Sequence, residues 1–189
     1  MTLFSPLVEK AMRMAARAHR HHHRKGSDLP YITHPAQAAM ILLRAGIDDA
    51  EILAAALLHD VVEDTDHSLE MLAADFPPKV VQLVAAMTER KQDHTGQHRS
   101  WQDRKDEHLR HIAAEPWEAR AIVLADKLHN LGSMVVDLEA GADIWSRFNA
   151  PRDRILWYHR SMVAAAEQGD SRLASLAQEC LRLIDRLAG

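Results

Sequence analysis

Residues 50–64, "AEILAAALLHDVVED", decide the fold class, because Ile52, Ala55, Ala56, His59, Val62 and Glu63 recur at helical spacing. Asp48 or Asp49 stands where a helix cap belongs, and the polar end of the segment falls on its core-facing side. Outward from it, the punctuation is helical throughout. Ser5 and Pro6 suit the cap and first turn of a helix to about Arg24, and Pro35 opens another that Gly46 ends. Ser68 starts a short helix, and Pro77 and Pro78 start "KVVQLVAAMTE". "QDHTGQHRS" reads as a polar loop before a charged helix near residues 101–114. Pro116 begins a long helix that Gly141 can stop, and Pro151 and Asp170 open the last two. Alternating strand patterns, internal repeats and Gly/Ser linkers are absent. The expectation is all-α: residues 1–189 as a single helical bundle of roughly nine or ten helices.

A chain of 189 residues that is 47% hydrophobic can bury one substantial core. A net charge of −4, from 23 basic and 27 acidic residues, gives no general attraction to nucleic acid or to an anionic membrane, so any anion needs a local cluster. The single cysteine, Cys180, excludes an internal disulfide and fits a helix core. The first residues lack the pattern of a signal peptide, and no apolar run reaches the roughly 18 residues of a spanning helix. We therefore expect a cytoplasmic protein with no membrane and no nucleic acid polymer as partner.

Residues four apart share a helix face, so Glu63 lies above His59 and Asp64 above Asp60. Three neighbouring carboxylates among core residues require positive charge to compensate them, and a divalent metal does so economically. It would take His59 and Asp60 as ligands and leave Glu63 and Asp64 to handle a water. Two other stretches supply further ligands: His34 in "PYITHP", at a loop-to-helix junction, and Asp126 in "IVLADKLHNL", behind an apolar run and four residues before Asn130. Each taken alone reads as an ordinary core histidine or helix acid. Their order and context together favour a mixed nitrogen and oxygen site suited to Mn, Fe or Zn, with Mg less apt.

This order of residues resembles the HD superfamily of metal-dependent phosphohydrolases. More closely, "RKGSDLPYITHP", "AALLHDVVEDT" and "LADKLHNL" resemble the hydrolase domain of the RelA/SpoT homologues. The similarity runs from about Ala15 to about Ala166, and the chain length resembles that of the stand-alone small alarmone hydrolases. The resemblance implies removal of the 3′ pyrophosphate of (p)ppGpp, giving GDP or GTP and pyrophosphate, with Mn2+ as the metal. It implies His34, His59, Asp60 and Asp126 as ligands, Glu63 and Asp64 as the pair that activates water, and hydrolysis without alarmone synthesis.

For the nucleotide substrate, Arg24 offers a flat guanidinium and Lys25 a point charge at an expected helix end, with Gly26 turning the chain after them. Asn130, Arg104, Lys105 and Arg152 are further candidate contacts. Trp157 and Tyr158 suit either the base pocket or the core. The histidines at 19, 21, 22 and 23 cannot all face one metal from a helix, and solvated surface or secondary phosphate contacts are simpler readings than a second metal site. Where the family continues its long helix with Arg, Gly132 and Ser133 stand here, which leaves substrate choice open. (p)ppApp is an additional candidate substrate. The alternatives are an HD nucleotidase or NADPH 2′-phosphatase, and an inactive nucleotide-binding sensor. A homodimer is compatible with the pattern, which points to no interface.

Overall fold

The computed structural model describes residues 3–88 and 100–189. Ten α-helices and one short 3-10 helix account for its regular structure, and no strand is formed among the described residues beyond an isolated bridge between His23 and Pro30. Most of the expected polar loop, residues 92–99, lies outside them. Among the described residues, no helix is long and apolar enough to cross a membrane.

Two helices organise the bundle. Helix α3 (Ala50–Leu58) packs against α1 (Pro6–Ala18), α2 (Thr33–Arg44), α6 (Pro78–Met87) and α8 (Trp117–Glu139). Helix α8 in turn packs against α2, α9 (Arg152–Glu167) and α10 (Ala174–Ala188). Every residue of α3 from Ile52 to Leu58 is buried. Burial of a leucine such as Leu57 or Leu58 contributes about 1.5–3 kcal/mol, so this segment is anchored firmly. Short helices α4 (Val61–Asp64) and α5 (Leu69–Asp75) follow α3, and α7 (Trp101–Ala114) packs on α9.

The caps follow the sequence signals. The Asp49 carboxylate accepts from the N–H groups of Glu51 at 2.9 Å and Ile52 at 3.1 Å, and Ser5, Ser68 and Ser100 accept at their own helix starts. Gly46 and Gly141 adopt positive φ just beyond α2 and α8, where a glycine ends a helix without steric cost. Cys180 is fully buried and its thiol faces the Leu124 carbonyl at 3.6 Å.

Three boundaries differ from expectation. Helix α1 stops at Ala18, not near Arg24, so Arg24 and Lys25 lie in the following loop and end no helix. There the backbone pairs across a tight turn, with Tyr31 N–H donating to the His22 carbonyl and Arg24 N–H to the Leu29 carbonyl. His19 turns inward to stack on Tyr31, with ring centres 4.6 Å apart. Second, the helix through residues 50–64 breaks at His59–Asp60. The Ala56 carbonyl, which an unbroken helix would offer to the Asp60 N–H, accepts from His59 Nδ1 at 2.7 Å. Third, α10 begins at Ala174, because Asp170 binds Arg172 and Arg120 with its carboxylate and opens a turn.

Candidate metal and phosphate site

Three helices converge on one point with buried side chains. His34 comes from the first turn of α2, His59 from the end of α3, and Asp126 from the middle of α8. Each offers a donor atom, and the three atoms all lie within 4.8 Å of one another. Asp60 adjoins them: its Oδ2 is 3.0 Å from His59 Nε2 and 3.5 Å from His34 Nε2. His34 Nε2 is 3.1 Å from Asp126 Oδ1.

Two observations indicate that this donor set fits a divalent cation. His59 Nε2 is buried and makes no hydrogen bond, while Nδ1 donates to Ala56, so the free nitrogen points at the carboxylates. The electrostatics agree. Burial opposes a charged His59, yet Asp60 and Asp126 outweigh it and hold the imidazole at about 9, so the pocket attracts positive charge. Burial likewise opposes the Asp60 carboxylate, but the neighbouring His59 and His34 keep it well below the usual range. Asp126 is also held low against burial, chiefly by Lys127.

The ligands are themselves fixed. Asn130 Nδ2 donates to Asp126 Oδ1 and Lys127 Nζ to Asp126 Oδ2, both at 2.6 Å. Tyr31 Oη donates to Asp60 Oδ2 at 2.7 Å and reaches Asp64 Oδ2 at 3.4 Å. Burial and Asp60 push the Tyr31 hydroxyl far up, so it stays a proton donor. Neither Tyr31 nor Lys127 was marked by the sequence reading, although both stand inside quoted motifs. Lys127 adjoins Asp126, so ordinary helix periodicity places it off the ligand face. Only the flexibility of a long side chain brings it back.

A cavity of about 190 Å³ lies over the donors and is lined by His34, His59, Asp60, Glu63 and Asp126. Arg24, Tyr31, Lys105, Lys127 and Asn130 line both this cavity and a second, open one of about 1330 Å³, which is ample for a nucleotide. Lys25 lines the larger one, its ammonium 5.6 Å from the Phe148 ring centre. Arg24 is set between two partners, donating to Asn130 Oδ1 at 2.7 Å and lying 5.6 Å from the Tyr31 ring centre. The structure thus brings Arg24, Lys25, Lys105 and Asn130 to the site. Arg104 and Arg152 line neither of these two cavities, and Arg152 is turned to the Leu187 carbonyl and the Trp145 ring. Glu63 faces the small cavity, whereas Asp64 is on its exposed outer side. Tyr158 is buried and Trp157 exposed, and only Tyr158 lines the cavities. Of the early histidines, His21 and His23 are exposed as expected, but His19 is buried.

Comparison with known proteins agrees with this geometry. The family model described as HD domain matches residues 11–155. The chain is 38% identical over 134 residues to the guanosine-3′,5′-bis(diphosphate) 3′-pyrophosphohydrolase MESH1 of Drosophila melanogaster, covering 70% of this chain and 72% of the relative. It is also 38% identical over 129 residues to a GTP pyrophosphokinase of Streptomyces coelicolor, but spans only 14% of that protein's length. Among solved structures, a metazoan ortholog of SpoT that hydrolyses ppGpp superposes with a TM-score of 0.76 at 32% identity, over 96% of this chain and 97% of that one. With the family match covering most of its length and a relative of similar extent, the chain belongs to the HD domain family.

Proposed function

We infer that the chain is a metal-dependent hydrolase that removes the 3′ pyrophosphate of ppGpp, residues 1–189 acting as one unit. The reading rests on one observation above all. The His34, His59 and Asp126 donor cluster opens, through a cavity that Glu63 lines, into a nucleotide-sized cavity edged with Arg24, Lys25 and Lys105. The relatives with which it shares most of its length are named as hydrolases of this alarmone.

His34, His59, Asp60 and Asp126 would hold the cation, for which we propose Mn2+. Such a cation supplies polarisation of a phosphoryl oxygen and acidification of water. The chain's own groups do the rest. Glu63 sits within the small cavity and takes the proton of the attacking water, with Asp64 beside it on the outer side relaying that proton toward solvent. Arg24, Lys25 and Lys105 neutralise the diphosphates, and the Arg24 guanidinium, backed by Tyr31, presents its open face to the purine. Asn130 links the two halves, since it contacts Asp126 with its amide nitrogen and Arg24 with its oxygen. Because base preference depends on a few contacts at the purine edge, we propose ppApp as an additional substrate.

The test is incubation of metal-stripped protein, with Mn2+ restored, against ppGpp, ppApp and NADPH, with products resolved by chromatography. Pyrophosphate and GDP are expected from ppGpp. Phosphate released from NADPH alone would replace this reading with a 2′-phosphatase, and no turnover of any of the three would leave a nucleotide-binding sensor.

A further inference from the structure

His129 stands behind the metal cluster and outside the ligand set, on the same face of α8 as Asp126, three residues on. Its Nδ1 lies 2.7 Å from Nδ1 of His34, with the ring centres 4.8 Å apart, and its Nε2 lies 3.4 Å from Ser133 Oγ one turn further along α8. Two Nδ1 atoms at that separation can share only one proton, so one ring donates and the other accepts. The direction of that bond decides what His34 can do at the opposite end of its ring. If His34 Nδ1 carries the proton, its Nε2 presents a lone pair toward Asp126 and Asp60. If His129 carries it, a neutral His34 must hold its proton on Nε2, where it blocks coordination.

We propose that His129 is a positioning residue that accepts the His34 Nδ1 proton and thereby fixes His34 in the one tautomer able to bind the cation, with Ser133 holding the His129 ring from behind. The inference rests on the assignment of His34 as a ligand. His34 is only 2% exposed, so no water can take over as the acceptor without rearrangement. His59 is treated differently: a main-chain carbonyl accepts its Nδ1 proton. A histidine ligand oriented by a fixed backbone group and one oriented by a replaceable side chain are thus found in one site. The position adds a connection to substrate, since His129 and Ser133 both line the large cavity.

The test compares His129→Phe, which keeps a ring and removes the acceptor, with His129→Asn, whose Oδ1 can stand where Nδ1 stood. Mn2+ affinity of metal-stripped protein is read by electron paramagnetic resonance of the free ion, independently of any substrate. His129→Phe is expected to weaken Mn2+ binding roughly 10- to 100-fold, and His129→Asn to recover most of that loss. In turnover assays the concentration of Mn2+ needed for activation rises in His129→Phe and returns most of the way in His129→Asn. Ser133→Ala shifts the affinity in the same direction by no more than about threefold, as expected for a longer contact. Mn2+ affinity of His129→Phe equal to wild type, or equal loss in the Phe and Asn variants, overturns the proposal. Should His129→Phe fail to fold, long-range proton–nitrogen spectra of the wild-type protein loaded with Zn2+ decide: a proton on His34 Nδ1 supports the assignment, and one on His129 Nδ1 refutes it. Because these readouts need no nucleotide, a failure of ppGpp hydrolysis would leave them intact.

Discussion

The two ends of the site are built on opposite plans. At the metal end, His34, His59 and Asp126 are buried on α2, α3 and α8, and each is oriented by a second group. At the proposed phosphate end, Arg24 and Lys25 stand on a loop, and Lys105 on the more peripheral α7, all of them partly or largely exposed. Charges in the core hold position because moving them would disturb close packing, whereas charges on a rim can follow a flexible polyphosphate. A change at the first end should therefore act as a switch, and a change at the second as a graded loss of affinity.

The largest effect is expected from His59→Ala. It removes a donor and the main counter-charge beside Asp60, so Mn2+ binding and turnover should disappear together, with at least about 10³-fold loss in kcat/KM. Residual activity near wild type with stoichiometric Mn2+ would break the division between the two ends. Glu63→Ala comes next. It should retain the metal and lower kcat by roughly 10²–10⁴-fold, as for loss of a general base. Arg24→Ala tests the rim: KM should rise about 10-fold or more while kcat changes little, because a charge-assisted contact to substrate is lost. A selective fall in kcat would instead make Arg24, through Asn130 and Asp126, part of the metal end.

A smaller effect concerns His159 on α9, which is buried beneath the cavity and whose Nδ1 has no hydrogen-bond partner. Burial, with Lys127 nearby, lowers it from 6.5 to about 3. Between those values the unfolded chain binds a proton that the folded chain refuses, so stability falls as pH drops below about 6.5. Thermal melts of metal-free His159→Leu should show a shallower decline than wild type from about pH 6.5 downward, the remainder coming from the lowered His19, His34 and His129 and, at more acid pH, from the depressed Asp60 and Asp126. Identical slopes would remove His159 from the account. Asp49→Ala, remote from both ends, should cost about 1 kcal/mol by chemical denaturation, through loss of the α3 cap, and leave KM unchanged.

The cluster of donor groups at the proposed metal end was legible in the sequence because its logic is local. His59, Asp60 and Glu63 follow one another on a helical face, and Asp126 is conspicuous behind Ile122–Ala125. His129 and Ser133 follow the same arithmetic, three and seven residues after Asp126, yet nothing in periodicity says that a second histidine ring will meet the first. Arg104 and Arg152 illustrate the converse: a basic residue near a motif has no fixed direction until neighbouring helices are placed.

By itself the sequence determined the helices, through apolar periodicity, caps and glycine stops, and the donor types, because carboxylates and imidazoles placed in apolar runs need polar or charged partners. The tertiary structure alone decided where α1 ends, which cations reach the cavity, and which hydrogen-bond partner stands behind each ligand. The physical reason is range. Helix signals act over a few residues of backbone, whereas the tautomer of His34 depends on a side chain 95 residues away, and the direction of Arg152 on a main-chain carbonyl 35 residues away, that only packing brings within reach.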